Sequence, residues 1–501
     1  KLSAVFCAIL FVFSPKLAGY IEAGHFGLIL SWAWLPWLFL STVMIAKRTK
    51  LIWSLVLAIS SAALFYTHAT TFIYAIFFAC LIFIVTFLKV ENKVKALFFF
   101  ILGGILSFGL SAVAILPQIA WISQTNRYLL AIKPEVWPIW NSKLEFIKQM
   151  FLPANSDPEK WIPIGLISAV LALFGYLSLK KSQKIYLALL AIPVFIIAAN
   201  NATPFYKTLI SQKWYDYMRV STRIWFAVSL TVIFLAGIGL QRIKHFRLLF
   251  CLALIETLAL SWFRLTKPSP QPNYAPKEVY EFLARDKDRF RVYCLSRCLS
   301  QKEATIYHLE LIDGYSTLIQ KNYNSHALQL TGAYWDYYTL SIPPMGAYLN
   351  EKLNPNINSL GRYNTKYIIS PYILESNDLS LATKIDKYFI YKNLKYQPRS
   401  EAPITYYSPN LIKIDTSNYH KDALVISEVY NPGWKAYTDT GKETQLLESP
   451  NVLRSIAVPK ETKYLEIKYE PPNYKIGETI TLSTLLTVII IYLIKKYWRK
   501  A

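Results

Sequence analysis

Two arginines near the middle of the chain have the spacing of a phosphate-binding pair. Arg219 and Arg223 stand four residues apart at the start of a long apolar run, so on a helix they share one face. A guanidinium group binds phosphate through two parallel hydrogen bonds. Asp216, three residues earlier, is a candidate to orient Arg219. The alternative is that both arginines reach lipid headgroups and that Asp216 caps the helix.

Histidine and glutamate side chains offer acid–base chemistry. Glu22 and His25 lie close together in a short polar stretch, where they could accept a proton or contact a metal or phosphate. His68 is predicted at the tip of a tight turn between two apolar runs. For all three residues the alternative is structural, either an exposed loop or a hydrogen-bonded imidazole at the membrane interface.

Further candidates lie in and beside the apolar runs. Glu256 is predicted inside a run, where acidic residues are functional candidates by default, although it could simply face a neighbouring helix. The stretch 117–161 contains Arg127 and Tyr128 as site-lining candidates, and an amphipathic segment at 143–152. That segment is predicted to line a lipid entrance or to act only as an interfacial anchor.

Several motifs are absent from the sequence. There is no Walker A loop, no G-x-G-x-x-G and no H-E-x-x-H, so ATP hydrolysis, nicotinamide binding and zinc protease chemistry have no support. The Cys294 and Cys298 pair permits a disulfide without requiring one. No cofactor is assigned, and a divalent metal stays open as an alternative.

The candidate residues above are predicted to be positioned by membrane helices. Of the 501 residues 54% are hydrophobic and 17% are charged, against roughly 25% charged in an average soluble domain. A helix that crosses a bilayer needs about 20 mainly apolar residues. We predict a polytopic α-helical membrane protein with about nine or ten spans. The apolar runs are 2–13, which is short, and 27–46, 51–66, 70–88, 96–116, 162–179, 185–199, 221–240, 248–263 and 480–494.

Charge predicts the orientation of these spans. The formal net charge is +23, and much of the excess lies in alternate short loops. Short loops rich in Lys and Arg stay on the cytoplasmic side. The basic residues are Lys47, Arg48, Lys50, Lys89, Lys93, Lys95, Lys180, Lys181, Lys184, Arg242, Lys244, Arg247, Lys495, Lys496, Arg499 and Lys500. This scattered placement argues against a nucleic-acid surface, which would be contiguous.

The remaining segments are predicted to lie outside the cytoplasm. These are the loop 14–25, the turn at His68, the loops 117–161 and 200–220, and a large segment before the last span. Short apolar or alternating stretches predict a helix at 277–284 and strands at 290–295, 367–370, 388–391, 423–429, 434–438, 455–458 and 465–469. The predicted domains are a multi-span domain at 1–263, an extracytoplasmic α/β region at 264–400, a β-sandwich at 401–478, a span at 479–494 and a basic tail at 495–501.

Short motifs such as 219–223 (RVSTR), 429–437 (VYNPGWKAY) and 466–471 (EIKYEP) follow one another along the chain, and their order resembles that of YfhO-type bacterial membrane proteins. The C-terminal signature is the most extensive, and the other matches are spread over nearly the whole chain. The matching residues are 24–25 (GH) before Trp32, Trp34 and Pro36, then 219–223 (RVSTR), 313–315 (DGY), 398–399 (PR), 429–437 (VYNPGWKAY), 457–459 (AVP), 466–471 (EIKYEP) and Gly477.

That family is similar to GT-C glycosyltransferases, which take sugar from a polyprenyl-phosphate carrier on the outer membrane face. The resemblance implies transfer to a cell-envelope glycan, teichoic-type polymer or glycolipid at the bacterial cytoplasmic membrane. Arg219 and Arg223 would hold the donor phosphate, with His25 and Glu22 lining the site. GT-C enzymes carry an essential Asp or Glu in their first outer loop, so we expect the catalytic acid upstream of residue 1.

Two other classes of function stay open. A transporter or flippase of lipid-linked sugars would need paired polar residues along the membrane midplane, and the spans contain few ionisable residues beyond Glu256. A non-catalytic envelope assembly protein would use its exported domain only to bind glycan. The expected partners are the lipid-linked donor, the glycan or glycolipid acceptor and membrane lipid, with no nucleic acid.

Overall fold

The computed structural model describes residues 2–125, 139–153, 157–212, 215, 220–244, 246–266, 274–295, 298–312, 318–332 and 353–497. The chain forms two compact units. The first comprises residues 1–115, 132–269 and 475–501, and the second comprises residues 116–131 and 270–474. The first unit is helical, whereas the second contains all three β-sheets of the described residues.

Within the described residues, eight helical segments are long and apolar enough to cross a membrane, and two shorter apolar helices accompany them. The prediction of a polytopic helical membrane protein with a sheet-rich part is therefore confirmed. The eight are Leu2–Glu22, Phe26–Arg48, Ala69–Phe87, Lys93–Ile122, Lys181–Ala202, Ser221–Leu240, Phe246–Leu265 and Tyr474–Ile494, and the shorter two are Leu51–Thr67 and Leu166–Leu177.

The start of the chain was predicted as a short apolar run followed by a loop, and the structure differs from this prediction. The helix Leu2–Val12 is followed after two residues by the helix Pro15–Glu22, so most of the predicted loop 14–25 is helical. Pro15 stands in the first turn of the second helix, where its missing N–H costs no hydrogen bond. Lys16 thereby becomes part of a membrane-spanning segment rather than of an outer loop.

Small residues bring two of the membrane helices into close contact. A Cβ atom at Gly175 would collide with the carbonyl of Leu235, and one at Gly239 would collide with the carbonyl of Leu171. The helices Leu166–Leu177 and Trp225–Leu240 therefore approach backbone to backbone, as small residues allow in membranes.

The second unit begins with a five-stranded mixed sheet. Its strands are β1 (Arg291–Cys294), β2 (Glu310–Leu311), β3 (Thr365–Ser370), β4 (Leu379–Ile385) and β5 (Tyr388–Asn393), in the order β2-β1-β3-β5-β4. The strands β2, β1 and β3 are parallel, and β5 pairs antiparallel with β3 and β4. The helices are Lys277–Ala284, Gln301–Ile306, Lys321–Thr331 and Ile357–Arg362. The predicted helix and the three predicted strands of this region are confirmed.

A β-sandwich follows, as predicted. Five strands form one sheet in the order β10-β9-β13-β7-β6, and three form the other in the order β11-β12-β8. Burial alternates along the strands Leu411–Asp415 and Tyr464–Tyr469, and Ile414, Ile426, Ile456 and Ile467 meet in a core shared by both sheets. The strands are β6 (Ile404–Ser408), β7 (Leu411–Asp415), β8 (Ala423–Val429), β9 (Trp434–Thr438), β10 (Glu443–Thr444), β11 (Leu446–Glu448), β12 (Leu453–Ala457) and β13 (Tyr464–Tyr469).

The structure shows that the two cysteines of the second unit are bonded to each other. Cys294 ends β1, Cys298 follows four residues later, and the two are joined in a disulfide with their Cα atoms 5.7 Å apart. Both lie in the core beside the helix Lys277–Ala284. The disulfide therefore has a structural position in the second unit.

Candidate functional site

A non-helical segment enters the helical unit just before the helix Leu166–Leu177. Residues Pro158–Lys160 form one turn of 3₁₀ helix, and Trp161 and Ile162 are buried in extended backbone. The helix that follows is capped by Glu256, whose carboxylate accepts hydrogen bonds from the backbone N–H groups of Leu166 (2.6 Å) and Ile167 (3.0 Å). Non-helical backbone is tolerated in a membrane domain where protein groups satisfy it.

Gly165 makes this arrangement possible. Its φ is +85°, and a Cβ atom there would lie 2.6 Å from a carboxylate oxygen of Glu256. Any larger residue would push Glu256 away from the N-terminus that it caps. Glu256 thus has a structural role at a neighbouring helix, in agreement with the structural alternative given for it in the sequence analysis.

The first membrane segment fixes residues 158–161 in place. The fully buried side chain of Lys16 donates to the carbonyls of Pro158 (3.2 Å) and Glu159 (2.9 Å). Trp161 Nε1 donates to the carbonyl of Pro15 at 2.7 Å. Gly19 allows this approach, because a Cβ atom there would lie 3.0 Å from the indole of Trp161. The backbone beside Glu159 is therefore held by a charged and an aromatic side chain.

Arg223 lies in a 3₁₀ turn that is also held by hydrogen bonds. The turn spans Ser221–Ile224 and leads into the helix Trp225–Leu240. Asn200 Nδ2 donates to Ser221 Oγ at 3.1 Å, and the Tyr74 hydroxyl donates to the carbonyl of Val220 at 2.9 Å. Two neighbouring elements thus position the turn that carries Arg223.

The side chains of Arg223 and Glu159 form a hydrogen-bonded ion pair. Glu159 Oε1 accepts from Arg223 Nε at 3.0 Å and from Nη2 at 2.6 Å. His25 Nε2 lies 3.7 Å from the same oxygen. Glu159 Oε2 is buried and has no hydrogen-bond partner among the described residues. We call Lys16, His25, Glu159 and Arg223 the charged cluster.

Electrostatics fix the protonation states at neutral pH. Burial raises the pKa of Glu159, but Arg223 and Lys16 outweigh it, so the pKa ends below its ordinary value and the carboxylate is charged. Burial lowers the pKa of His25; the charge of Glu159 opposes this change, and Arg223 and Lys16 add to it. His25 is consequently neutral at pH 7, with its side chain 39% exposed.

Glu22 is not paired with His25. Its carboxylate forms an ion pair with the buried guanidinium of Arg264, near the end of the helix Phe246–Leu265. The same guanidinium lies 5.2 Å from the centre of the Trp161 ring. Glu22 therefore pairs with Arg264, whereas His25 lies beside the Glu159–Arg223 ion pair. Both ion pairs adjoin the segment 158–161.

His68 has the structural role that was its alternative. Its Nδ1 accepts from the backbone N–H of Thr71 at 3.0 Å, so the imidazole caps the helix Ala69–Phe87. Burial lowers the pKa of His68 to about 4, and the positive charge of Arg223 contributes. A neutral imidazole is the form that can accept this hydrogen bond.

Four predicted site residues lie outside the described residues. They are Arg127, Tyr128, Asp216 and Arg219, so their roles stay predictions, as does that of the motif 313–315. The predicted amphipathic segment is confirmed as the helix Lys143–Phe151. Within the described ranges, no group of three or more His, Cys, Asp or Glu side chains is placed to hold a metal ion.

Sequence reasoning missed Lys16, Glu159 and Arg264. A signal existed for Lys16, because a lysine within a nearly continuous apolar stretch is an intramembrane charge candidate. No local signal marked Glu159, which lies in the polar stretch 155–160 (NSDPEK) and looks like any solvated loop residue.

Comparison with solved structures found a loose likeness. No protein-family model matches the chain, and no curated protein matches it significantly. Among solved structures it is similar to the cryo-EM structure of the arabinofuranosyltransferase AftD from Mycobacteria, with a TM-score of 0.42 and 10% identity over 93% of this chain and 49% of that one. A structure of a mutant AftD gives the same TM-score and identity over 94% and 51%. The chain thus spans about half the length of the structures that it matches, and the YfhO-type resemblance stays a prediction.

Proposed function

We propose that this protein is a GT-C-type membrane glycosyltransferase. It would transfer a sugar from a polyprenyl-phosphate-linked donor to a cell-envelope glycan, teichoic-type polymer or glycolipid on the outer face of the bacterial cytoplasmic membrane. The observation that carries this proposal is the way Glu159 holds Arg223. Because Glu159 Oε1 occupies Nε and one Nη2 hydrogen, the edge formed by Nη1 and the other Nη2 hydrogen is left for a ligand. Nη1 makes no hydrogen bond to any residue that the structure describes.

The open edge of Arg223 favours an anionic ligand. Glu159 is the one carboxylate that contacts Arg223 among the described residues. A phosphate group at the open edge of Arg223 would be held in a bidentate manner. The same contacts would stabilise the charge that develops on a departing polyprenyl phosphate.

His25 is suited to act as the proton acceptor. A neutral imidazole can take the proton of an attacking acceptor hydroxyl. Glu159, 3.7 Å away, would stabilise the imidazolium that forms. Glu22 and Arg264 would support the segment that carries Glu159 instead of taking part in the reaction. An additional acidic residue upstream of residue 1 is compatible with these roles.

An apolar cavity in the helical unit offers space for a lipid chain. It has a volume of about 310 Å³ and lies among four membrane helices, with an almost entirely apolar lining. Its lining includes Leu57, Phe72, Ala79, Phe100, Gly104 and Ile115. An isoprenoid chain is the part of the proposed donor that such a surface would accept.

The rival proposals receive less support from the described residues. A flippase of lipid-linked sugars would use ionisable residues along the translocation path, but Glu256 is committed to capping a helix. A purely glycan-binding assembly protein gives no reason for a buried arginine held by a carboxylate beside a neutral histidine. Both rivals predict outcomes that differ in a transfer assay.

The test uses the protein reconstituted in liposomes with a panel of radiolabelled polyprenyl-phosphate sugars. A glycosyltransferase releases polyprenyl phosphate and labels an added acceptor. Arg223→Ala should reduce this release about 100-fold or more, the range expected for losing one transition-state donor. Arg223→Lys retains the charge without the bidentate geometry, so its rate of release should lie between those of the unmodified protein and Arg223→Ala. Movement of intact donor across the bilayer, with no release, would favour the flippase instead.

The apolar cavity permits a second test. Gly104 has no atom within 4 Å of where a Cβ would stand, so Gly104→Leu fills open space instead of displacing backbone. We expect a raised KM for the lipid donor with little change in kcat. Ile105→Phe, at a neighbouring exposed position of the same helix, is the matched control. Equal kinetics for the two variants would remove the cavity from the proposal.

A further inference from the structure

A buried arginine in the β-sandwich has no ion-pair partner among the described residues. Arg454, on β12, is only 6% exposed. Its guanidinium has five N–H donors. Nε donates to the carbonyl of Val429 at 3.1 Å, and this is its one hydrogen bond to the residues that the structure describes. Nη1 is buried and has no hydrogen-bond partner in that part of the chain. Buried guanidinium groups are normally satisfied, so an unsatisfied one calls for an explanation.

Two carboxylates of this unit are already paired with other arginines. Glu428 Oε2 lies 3.1 Å from Arg291, and Glu428 Oε1 lies 3.4 Å from Arg399. Glu310 forms a 2.7 Å ion pair with Arg399. In the described part of the chain Arg454 has no carboxylate within 4 Å.

An aromatic ring fixes the orientation of this guanidinium. Its central carbon lies 4.0 Å from the centre of the Trp434 ring, and Trp434 packs on Tyr469 with the ring centres 5.3 Å apart. Trp434 follows the turn 431–433 (NPG), where Gly433 is needed because a Cβ atom would lie 2.7 Å from the Tyr469 ring. The ring covers one face of the cation and leaves the edge with the unused N–H groups.

We propose that Arg454 anchors an oxyanion site in the sandwich, which takes a phosphate group or a sugar carboxylate. Either group would bring a negative charge into direct contact with the guanidinium and accept the two parallel hydrogen bonds that its edge offers. The inference rests on the second unit alone and does not depend on the proposed transfer reaction. It identifies the exported part of the protein as a binder of anionic glycans or phosphate-containing polymers.

Hydrogen exchange on the whole protein in detergent micelles tests this inference. The probes are inorganic phosphate, glucuronate and, as a neutral control, glucose, all at constant ionic strength set with sodium chloride. Phosphate or glucuronate should slow exchange in the peptides covering 429–434 and 453–457. The slowing should be about twofold at a ligand concentration equal to Kd and increase with concentration. Glucose and chloride should have no effect.

Two variants locate the effect. Arg454→Gln should abolish the protection, whereas Lys435→Gln, which removes a positive charge from the exposed side chain next to Trp434, should retain it. Protection by phosphate alone, by glucuronate alone or by both supports the oxyanion site and identifies its source. Absence of protection with every oxyanion, or equal protection in Arg454→Gln, overturns the proposal. If Arg454→Gln does not fold, protection confined to the two segments of the unmodified protein decides the question.

Discussion

Glu159 and Arg223 are 64 residues apart in sequence, yet both N–H contacts of the guanidinium go to one oxygen of the carboxylate. The other oxygen is buried and makes no hydrogen bond to a described residue. One-sided pairing of this kind fixes the plane of the guanidinium and leaves its second edge available. The pair therefore positions the group that we propose as the phosphate ligand, in addition to neutralising it.

Removing the charge of Glu159 should be costly. In Glu159→Gln, the buried Lys16 and Arg223 lose their counter-charge, so we expect a loss of about 3–5 kcal/mol in stability. Donor turnover should fall at least about tenfold, because Arg223 is no longer held in one orientation. Thermal unfolding in detergent and the liposome assay measure the two effects. Glu281→Gln, in an exposed pair with Lys277, should change neither. Unchanged turnover in folded Glu159→Gln would contradict the positioning role.

The proposed base gives a pH dependence of defined sign. The folded-state pKa of His25 is below its ordinary value of about 6.5. Turnover should therefore be constant above about pH 6.5 and fall as acid protonates the imidazole. His25→Gln should lose about 100-fold or more in kcat and should lack this acid limb. An unchanged limb in the variant would assign the titration to another group.

Acid stability should depend on His68. Its pKa is about 4 in the folded protein, against about 6.5 when unfolded. The unfolded state binds the proton more readily, so stability is complete above about pH 6.5 and is lost as pH falls towards 4, by at most roughly 3 kcal/mol. His68→Asn keeps a neutral cap acceptor and should flatten this dependence. Unfolding followed between pH 7 and pH 4 distinguishes the two proteins, and parallel curves would contradict the assignment.

Glu256 should matter for stability and not for transfer. Glu256→Ala leaves the N–H groups of Leu166 and Ile167 without their acceptor, at a cost of about 1–3 kcal/mol. Glu256→Gln keeps one acceptor oxygen and should lose less. Turnover per folded molecule should be unchanged in both. A selective loss of turnover in folded Glu256→Gln would instead reveal a functional acid.

Much of the fold was predictable because it follows from local patterns. Apolar runs of sufficient length indicate membrane helices whatever surrounds them, and the alternation in 423–429 and 465–469 indicates half-buried strands. The helix Pro15–Glu22 was missed because its polar residues resemble a loop. Its charged Lys16 is tolerated there only because carbonyls of the segment 158–161 surround it.

The sequence alone predicted Arg223 as a candidate phosphate ligand and His25 as a candidate proton acceptor. The tertiary structure decided their partners. It places Glu159 beside both Arg223 and His25, and it pairs Glu22 with Arg264. It also converted Glu256 and His68 into helix caps. Periodicity and propensity act over a few residues, whereas ion pairs and caps depend on which distant backbone and side-chain groups are buried together. Their formation is set by the cost of leaving a charge or an N–H group unsatisfied in an apolar surrounding.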